Sequence, residues 1–251
     1  MSANDTLPSS HDEVHFVAGA TGYTGRHIVE SLRRRGAVTW AHIRPDSRAI
    51  DAWTTRWAEL GAGVEAIAWT PREFTDALQR IRPTHVWSLL GTTKARGDRE
   101  TGSAVPETYE AVDYGLTRLL YDAAASVTPA PTFVYLSAQG VRDGTSNEYL
   151  AVRARLEREL KSGPLPWIAA RPAFISGGDR GESRPVERVS AVAIDIALGA
   201  LSAFGGRGLA DRWRSATGAE LAEGLVRCVV DKRRTNTVLD GRDWWPLLLA
   251  R

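Results

Sequence analysis

Apolar and polar positions along this chain switch repeatedly between two periods. Short apolar runs rich in Val, Ile, Phe, Trp and Ala end at Ala18, Ile43, Ala68, Leu90, Leu136 and Ala170. Such runs, too short for helices and apolar on both faces, predict buried strands at about 14–18, 37–43, 64–68, 85–90, 131–136 and 166–170. Segments with apolar residues three and four apart fall between them. One follows Gly25. A second covers 46–60, with Trp53, Trp57 and Leu60 as its apolar stripe. A third starts near Pro106, with Tyr109, Val112, Leu116, Leu119 and Leu120 on one face. Further helices are expected from just before Tyr149, over 186–203, and from Ala219 to Val230, with a closing strand at Thr237-Val238-Leu239. Strands that alternate with helices predict an α/β protein, a doubly wound parallel sheet covered on both faces.

Organisation follows from the same pattern. Residues 1–12 are polar and aperiodic and are expected to be a flexible tail, whereas 13–251 form a single domain. About 172–251 of it contributes a small C-terminal cap on the substrate side. Residues 94–105, with Lys94, Arg96, Asp98, Arg99 and Glu100, predict a mobile surface loop, and Gly205-Gly206-Arg207-Gly208 a second loop. Thr145-Ser146-Asn147-Glu148 has the spacing of a capping box, which places a helix start just before Tyr149.

The first strand–helix junction carries chemistry. Gly19-Ala20-Thr21-Gly22-Tyr23-Thr24-Gly25-Arg26 holds three glycines at a spacing of three, between a buried strand and a helix. A helix that begins there aims its N–H groups at the turn, and each glycine guards the turn, the approach of a pyrophosphate, or helix–strand packing. No Gly-Lys-Ser/Thr closes the loop, so it is not a triphosphate P-loop. The second strand ends at Arg44-Pro45-Asp46-Ser47, with Arg44 nineteen positions after Gly25. At this junction a basic residue accommodates a ribose 2′-phosphate and an acidic one binds the 2′-hydroxyl. Arg44, helped by Arg26 and Ser47, points to NADP(H); Asp46 keeps NAD(H) as the lesser alternative.

Bulk composition narrows the partners. The chain has 251 residues, 43% hydrophobic and 25% charged, with a formal net charge of +2. That balance offers no field for nucleic acid, and no apolar run reaches membrane-spanning length. Of the 32 basic residues only Lys94, Lys161 and Lys232 are lysines, leaving 29 arginines. The lone Cys228 lies in an apolar run and forms no intramolecular disulfide, which with the absence of a leader pattern places the protein in the cytoplasm. The five histidines (11, 15, 27, 42 and 85) show no ligand spacing, so no metal is expected. Oligomeric state is not legible.

The loop Gly19–Arg26 resembles the cofactor loop of the atypical and extended short-chain dehydrogenase/reductases, including the NmrA-like group. Glu182-Ser183-Arg184-Pro185 matches a segment of the HIV Tat-interacting-protein reductases and narrows the likeness to proteins similar to them. The resemblance implies a Rossmann-type fold from about Val14 to Thr237. It implies a cofactor site made of Gly19, Thr21, Gly22, Tyr23, Thr24, Gly25, Arg26, Arg44, Ser47, Leu90, Gly91, Thr92, Thr93, Arg153 and Pro172. Relatives often carry an Asp after the third strand; here Trp69 stands there, either stacked on an adenine or packed in the core.

The resemblance also implies a catalytic set of Ser137, Tyr149 and position 153. In the family a strand-end serine polarises a carbonyl, a tyrosine passes the proton, and a lysine four residues on favours the tyrosinate. This chain has Arg153 in place of the lysine, and Asp113 where an asparagine is frequent. Arg153, with Arg155, Arg158, Glu157 and Glu159, is also open to reading as a solvated charged face. Two functions follow: an NADPH-dependent oxidoreductase of a small carbonyl substrate, or a dinucleotide-binding sensor without turnover.

Overall fold

The computed structural model describes residues 13–91, 108–176 and 207–250. The 1–12 tail, Thr92, Thr93, the 94–105 loop, residues 182–185 and the helix expected over 186–203 lie outside the described residues.

Seven strands form one parallel sheet. They are β1 (Val14–Ala18), β2 (Val38–Ile43), β3 (Gly63–Ala66), β4 (His85–Ser88), β5 (Thr132–Leu136), β6 (Trp167–Ala170) and β9 (Thr237–Leu239), in the order β3-β2-β1-β4-β5-β6-β9. The order runs outward from β1 in both directions, because β1 pairs with β2 on one side and β4 on the other. In doubly wound sheets ligands bind at such a reversal, outside the carboxyl ends of the strands. A short pair, β7 (Ile175–Ser176) with β8 (Ala216–Thr217), stands apart from the main sheet.

The apolar runs are buried on both faces because alternate side chains enter two different cores. Phe16, Ala18, Val86, Phe133 and Tyr135 belong to one; Val17, Trp87 and Val134 belong to the other. Helices α3 (Pro71–Ile81), α4 (Thr117–Ala125) and α5 (Glu148–Ser162) supply Phe74, Leu78, Leu120, Leu156 and Leu160 to the first core. Helices α1 (Tyr23–Arg34) and α2 (Ile50–Glu59) close the second with Ile28, Leu32 and Trp57.

Among the described residues the other α-helices lie in the C-terminal third: α6 (Arg207–Trp213), α7 (Gly218–Val226) and α8 (Gly241–Leu249). This third is built into the sheet and its core. Its β9 extends the sheet, and Leu221, Leu225, Trp244 and Trp245 enter the core around α1. Cys228 is buried there, and burial pushes its thiol up to about 12. Among the described residues no helix is long and apolar enough to cross a membrane.

Several expectations are corrected in detail. Leu60 is exposed rather than part of the α2 stripe, because α2 ends at Glu59. The helix after residue 108 opens as a π-helical segment, Tyr109–Leu116, before it tightens into α4. Its wider turns carry Asp113 and Thr117 inward and leave Val112 and Leu116 only half-buried. The cap of α5 is Asn147, whose Oδ1 accepts from Leu150 N–H at 3.1 Å; Thr145 Oγ1 accepts from Asn147 N–H instead of forming the expected box. Of the loop expected at 205–208, Arg207 and Gly208 open α6 instead, and 205–206 lie outside the described residues.

Candidate active site

The glycine loop is built by three different constraints. Gly19 has φ +82°, and a Cβ there would lie 2.6 Å from the Leu89 carbonyl oxygen, so only glycine lets β1 turn against the end of β4. Gly25 lies inside α1, and its Cβ would lie 2.0 Å from Gly19 O. Its absent side chain therefore clears protein backbone, which gives Gly25 the helix–strand packing duty among the three. Gly22 is the N-cap of α1, in extended conformation, with no capping side chain, and its N–H donates to Gly19 O at 2.9 Å. The first turn of α1 holds no acidic residue. An uncapped helix N-terminus beside a reversal crevice suits an anion such as a pyrophosphate.

Thr21 is half-buried and Thr24 is buried beside this turn. The Tyr23 side chain turns away from the loop. Its hydroxyl donates to Ser176 O at 3.0 Å and accepts from Gly218 N–H at 3.2 Å, which ties α1 to β7 and α7. Arg26 lies over the Tyr23 ring, 5.0 Å from its centroid.

Arg44 follows β2 directly and is exposed. Its Nε lies 3.7 Å from Asp46 Oδ1, so the two charges that bear on cofactor choice sit as an open, weak pair. Ser47 N–H donates to Arg44 O at 3.1 Å and closes the turn that holds them together. Trp69 stacks on Phe74 at 4.4 Å and meets His42 edge-on at 4.8 Å, the packing alternative of its two readings.

Beyond β4 the crevice floor runs through half-buried Leu90 to exposed Gly91. A Cβ on Gly91 would lie 3.5 Å from both Arg153 Nη2 and Asp113 Oδ1. Those two groups form an ion pair at 2.6 Å, with side chains 5% and 0% exposed. The guanidinium carbon also stands 3.8 Å from the centroid of the Tyr149 ring, stacked on its face. Tyr109 meets that ring edge-on at 5.4 Å. Arg153 Nε and Nη1 are buried and have no hydrogen-bond partner among the described residues, and the same holds for the Tyr135 hydroxyl. Burial pushes the Tyr135 phenol up, against the nearby Arg153 charge. For Arg153 burial acts downward, but Tyr135, Tyr149 and Asp113 outweigh it and hold the guanidinium firmly protonated.

Ser137 follows β5 directly, and its N–H donates to Ala170 O; Gln139 N–H similarly donates to Pro172 O, so Pro172 borders the same strand end. The Ser137 hydroxyl donates to Glu157 Oε1 at 2.6 Å. Glu157 in turn receives both Nε (2.8 Å) and Nη2 (2.5 Å) of Arg171. A carboxylate gripped by that fork only accepts, so Ser137 must leave Glu157 before it can polarise a carbonyl.

Glu157 and Arg171 were not foreseen as site residues. Their signal was present: Tyr149, Arg153 and Glu157 recur every four residues on one helix face. The solvated-face alternative is thereby divided, since Arg153 and Glu157 are buried while Arg158 and much of Arg155 face solvent.

A second polar cluster lies at the opposite, N-terminal edge of the sheet, where Glu13, His15 and His85 bring possible ligand atoms within 4.8 Å of one another. Trp87 Nε1–H donates to His15 Nδ1 at 3.1 Å, so the neutral ring carries its proton on Nε2, toward Glu13 Oε2 at 3.6 Å. A metal on Nε2 would need the other tautomer. Burial, aided by the neighbouring His15, pushes His85 down to about 3, which keeps the stacked pair uncharged. The arrangement fits buried packing better than a cation.

Comparisons with known proteins agree with this geometry. The chain is 28% identical over 233 residues to protein fmp52, mitochondrial, from Aspergillus fumigatus, covering 85% of this chain and 83% of that one. Its fold matches a short-chain dehydrogenase/reductase from Serratia marcescens with TM-score 0.62 at 14% identity, over 94% of this chain and 100% of that one. It also matches a nucleoside-diphosphate-sugar epimerase from Pseudomonas aeruginosa with TM-score 0.57 at 17% identity, over 91% and 72%. A family model described as NAD(P)H-binding spans residues 19–194, from the first glycine of the loop past the Tyr149 helix, and the chain belongs to that NAD(P)H-binding family.

Proposed function

We propose that this protein is an NADP(H)-dependent oxidoreductase acting on a small carbonyl or related substrate. One observation carries the reading. The uncapped glycine-loop helix and the Tyr149–Arg153–Asp113 cluster are joined by one short stretch of chain after β4: Gly19 packs against the Leu89 carbonyl, and Gly91 lies against Arg153 and Asp113. The residues fit a dinucleotide: glycine where backbone must approach, a helix N-terminus for the pyrophosphate, and unpartnered Arg153 donors for ribose hydroxyls. When bound, the dinucleotide supplies the hydride.

The chain's own residues supply the rest. Tyr149 is the proton donor, held in place by the stacked Arg153 and by Tyr109. Arg153 stabilises negative charge on the phenol through space, less strongly than an unpaired cation would, because Asp113 balances it. Ser137 orients the substrate oxygen once its hydroxyl swings from Glu157. Thr92 and Thr93 as further cofactor residues rest on the family resemblance alone, and the narrower likeness to the Tat-interacting-protein reductases rests on residues 182–185. The cytoplasm is the proposed compartment; the Aspergillus fumigatus relative is named as mitochondrial, and cell fractionation tells the two apart.

The test is NADPH oxidation across a panel of small aldehydes and ketones, with Tyr149→Phe as control. The variant keeps the ring that Arg153 stacks on and loses only the proton, so activity should drop roughly 10²–10⁴-fold. Equal rates in the two proteins would remove Tyr149 from the mechanism.

A second reading is favoured by a specific observation: Ser137 and Arg153 are both already engaged by carboxylates, Glu157 and Asp113. Under it the protein binds the dinucleotide as a sensor without turnover. Tight NADPH binding with no oxidation of any panel substrate would select this reading.

A further inference from the structure

A buried ion pair lies behind Gly91, just past the end of β4. Arg153 and Asp113 come from different elements, α5 and the π-helical segment, and meet at 2.6 Å with almost no solvent contact. The two face Gly91, where the crevice floor leaves β4. In a doubly wound fold the dinucleotide spans the reversal, with one nucleotide over each half of the sheet. Arg44 lies on the β2 side, and the pair lies on the β4–β5 side, where the nicotinamide half belongs. A lone buried guanidinium there would repel the oxidised ring, which carries a positive charge, and would leave the neutral reduced ring unaffected. Burial makes that difference large, since little water screens it.

We propose that Asp113 cancels the Arg153 charge beneath the nicotinamide, so that Asp113 is a specificity residue for the oxidation state of the cofactor and raises relative affinity for the oxidised form. The inference rests on the dinucleotide reading given above. Asp113 acts through charge and through its grip on Arg153. The π-helical turn places it there, since the segment's wider winding brings Asp113 inside while its chain neighbours stay half-buried.

The experiment measures dissociation constants for NADP⁺ and NADPH by calorimetry, in the full-length wild type, Asp113→Asn and Arg153→Gln. The readout is the ratio of the two constants within each protein, which general loosening of the site leaves unchanged. Asp113→Asn keeps the shape and exposes the Arg153 charge, so NADP⁺ should weaken relative to NADPH by roughly tenfold. Arg153→Gln leaves the carboxylate alone and should move the ratio the other way. If Asp113→Asn does not fold, the Arg153→Gln ratio alone decides.

A ratio that stays constant in the folded variants, or moves the same way in both, overturns the charge-balance proposal and leaves cofactor binding intact. A wild type that binds neither form, nor NAD⁺ and NADH, would overturn the function itself and this inference with it.

Discussion

Gly22 and Gly25 are three residues apart in one motif, and the structure gives them separate duties. A Cβ at Gly25 would come 2.0 Å from the Gly19 carbonyl, a backbone atom that cannot move without shifting β1 against α1. Gly25→Ala should therefore cost on the order of 3 kcal/mol, about 6–12 °C in a chain of this size, measured by thermal unfolding without ligand. At Gly22 the backbone is extended and a Cβ would lie 3.2 Å from the same Gly19 O, a far milder contact than the 2.0 Å at Gly25. Gly22→Val should leave unfolding nearly unchanged and weaken dinucleotide binding at least tenfold, because its side chain projects where the pyrophosphate approaches. If Gly25→Ala melted like the wild type, the helix–strand assignment would be wrong. The motif was legible because glycine has no substitute at such contacts. Which glycine does which was not, because the duties depend on the Leu89 and Gly19 carbonyls that folding brings near. The commitment of Ser137 to Glu157 was hidden for the same reason, since they lie twenty residues apart on different elements.

At the level of elements, strands were easier to foresee than helix ends. Five- to seven-residue apolar runs leave little choice of structure, whereas helix winding is set by packing. The π-helical stretches Tyr109–Leu116 and Arg227–Asp231 continue α-like patterns in sequence. Only Asp113 and Thr117, polar yet buried, betray the first. The contact of α1 with α7 offers a test of element-level electrostatics. Glu223 on α7 accepts from Ser31 Oγ (2.8 Å), Arg35 Nη2 (2.7 Å) and Arg227 Nε (2.9 Å). Burial opposes its charge, but Arg227, Ser31 and Arg35 outweigh it and bring the carboxyl down to about 2 from 4.5. A carboxyl lowered on folding stabilises the native state above its unfolded value, so this contribution is complete above pH 4.5 and fades as pH falls toward 2. With solvent screening it is on the order of 1–2 kcal/mol. Glu223→Gln should lower the melting temperature at pH 7 and flatten its decline between pH 4.5 and 2. A variant curve parallel to the wild type through that window would show that the cluster does not titrate with folding.

For the molecule as a whole, the parallel, doubly wound sheet was legible because six buried strands separated by helical segments allow few other arrangements. The part played by the C-terminal third was not. Nothing in Thr237-Val238-Leu239 says that it pairs with β6, or that Trp244 and Trp245 after it enter the core around α1. On the proposed reading a dinucleotide spans the reversal at β1, from Arg44 after β2 to the Asp113–Arg153 pair, so it should brace both halves of the sheet and raise global stability. At one hundred times its dissociation constant a ligand adds about 2.7 kcal/mol, or roughly 5–10 °C for 251 residues. On the same reading, cofactor choice lies at the β2 end. Arg44 and Asp46 are both about half exposed and only 3.7 Å apart, so neither is fixed by burial and a 2′-phosphate can draw the guanidinium from its partner. NADP⁺ should then raise the melting temperature more than NAD⁺ at equal concentration. In Arg44→Glu two carboxylates would face the phosphate, so the NADP⁺ shift should collapse while the NAD⁺ shift holds or grows through the ribose 2′-hydroxyl. Asp46→Asn should do the reverse and widen the preference for NADP⁺. Equal shifts from both dinucleotides in the wild type, unchanged in Arg44→Glu, would mean that the end of β2 does not read the ribose.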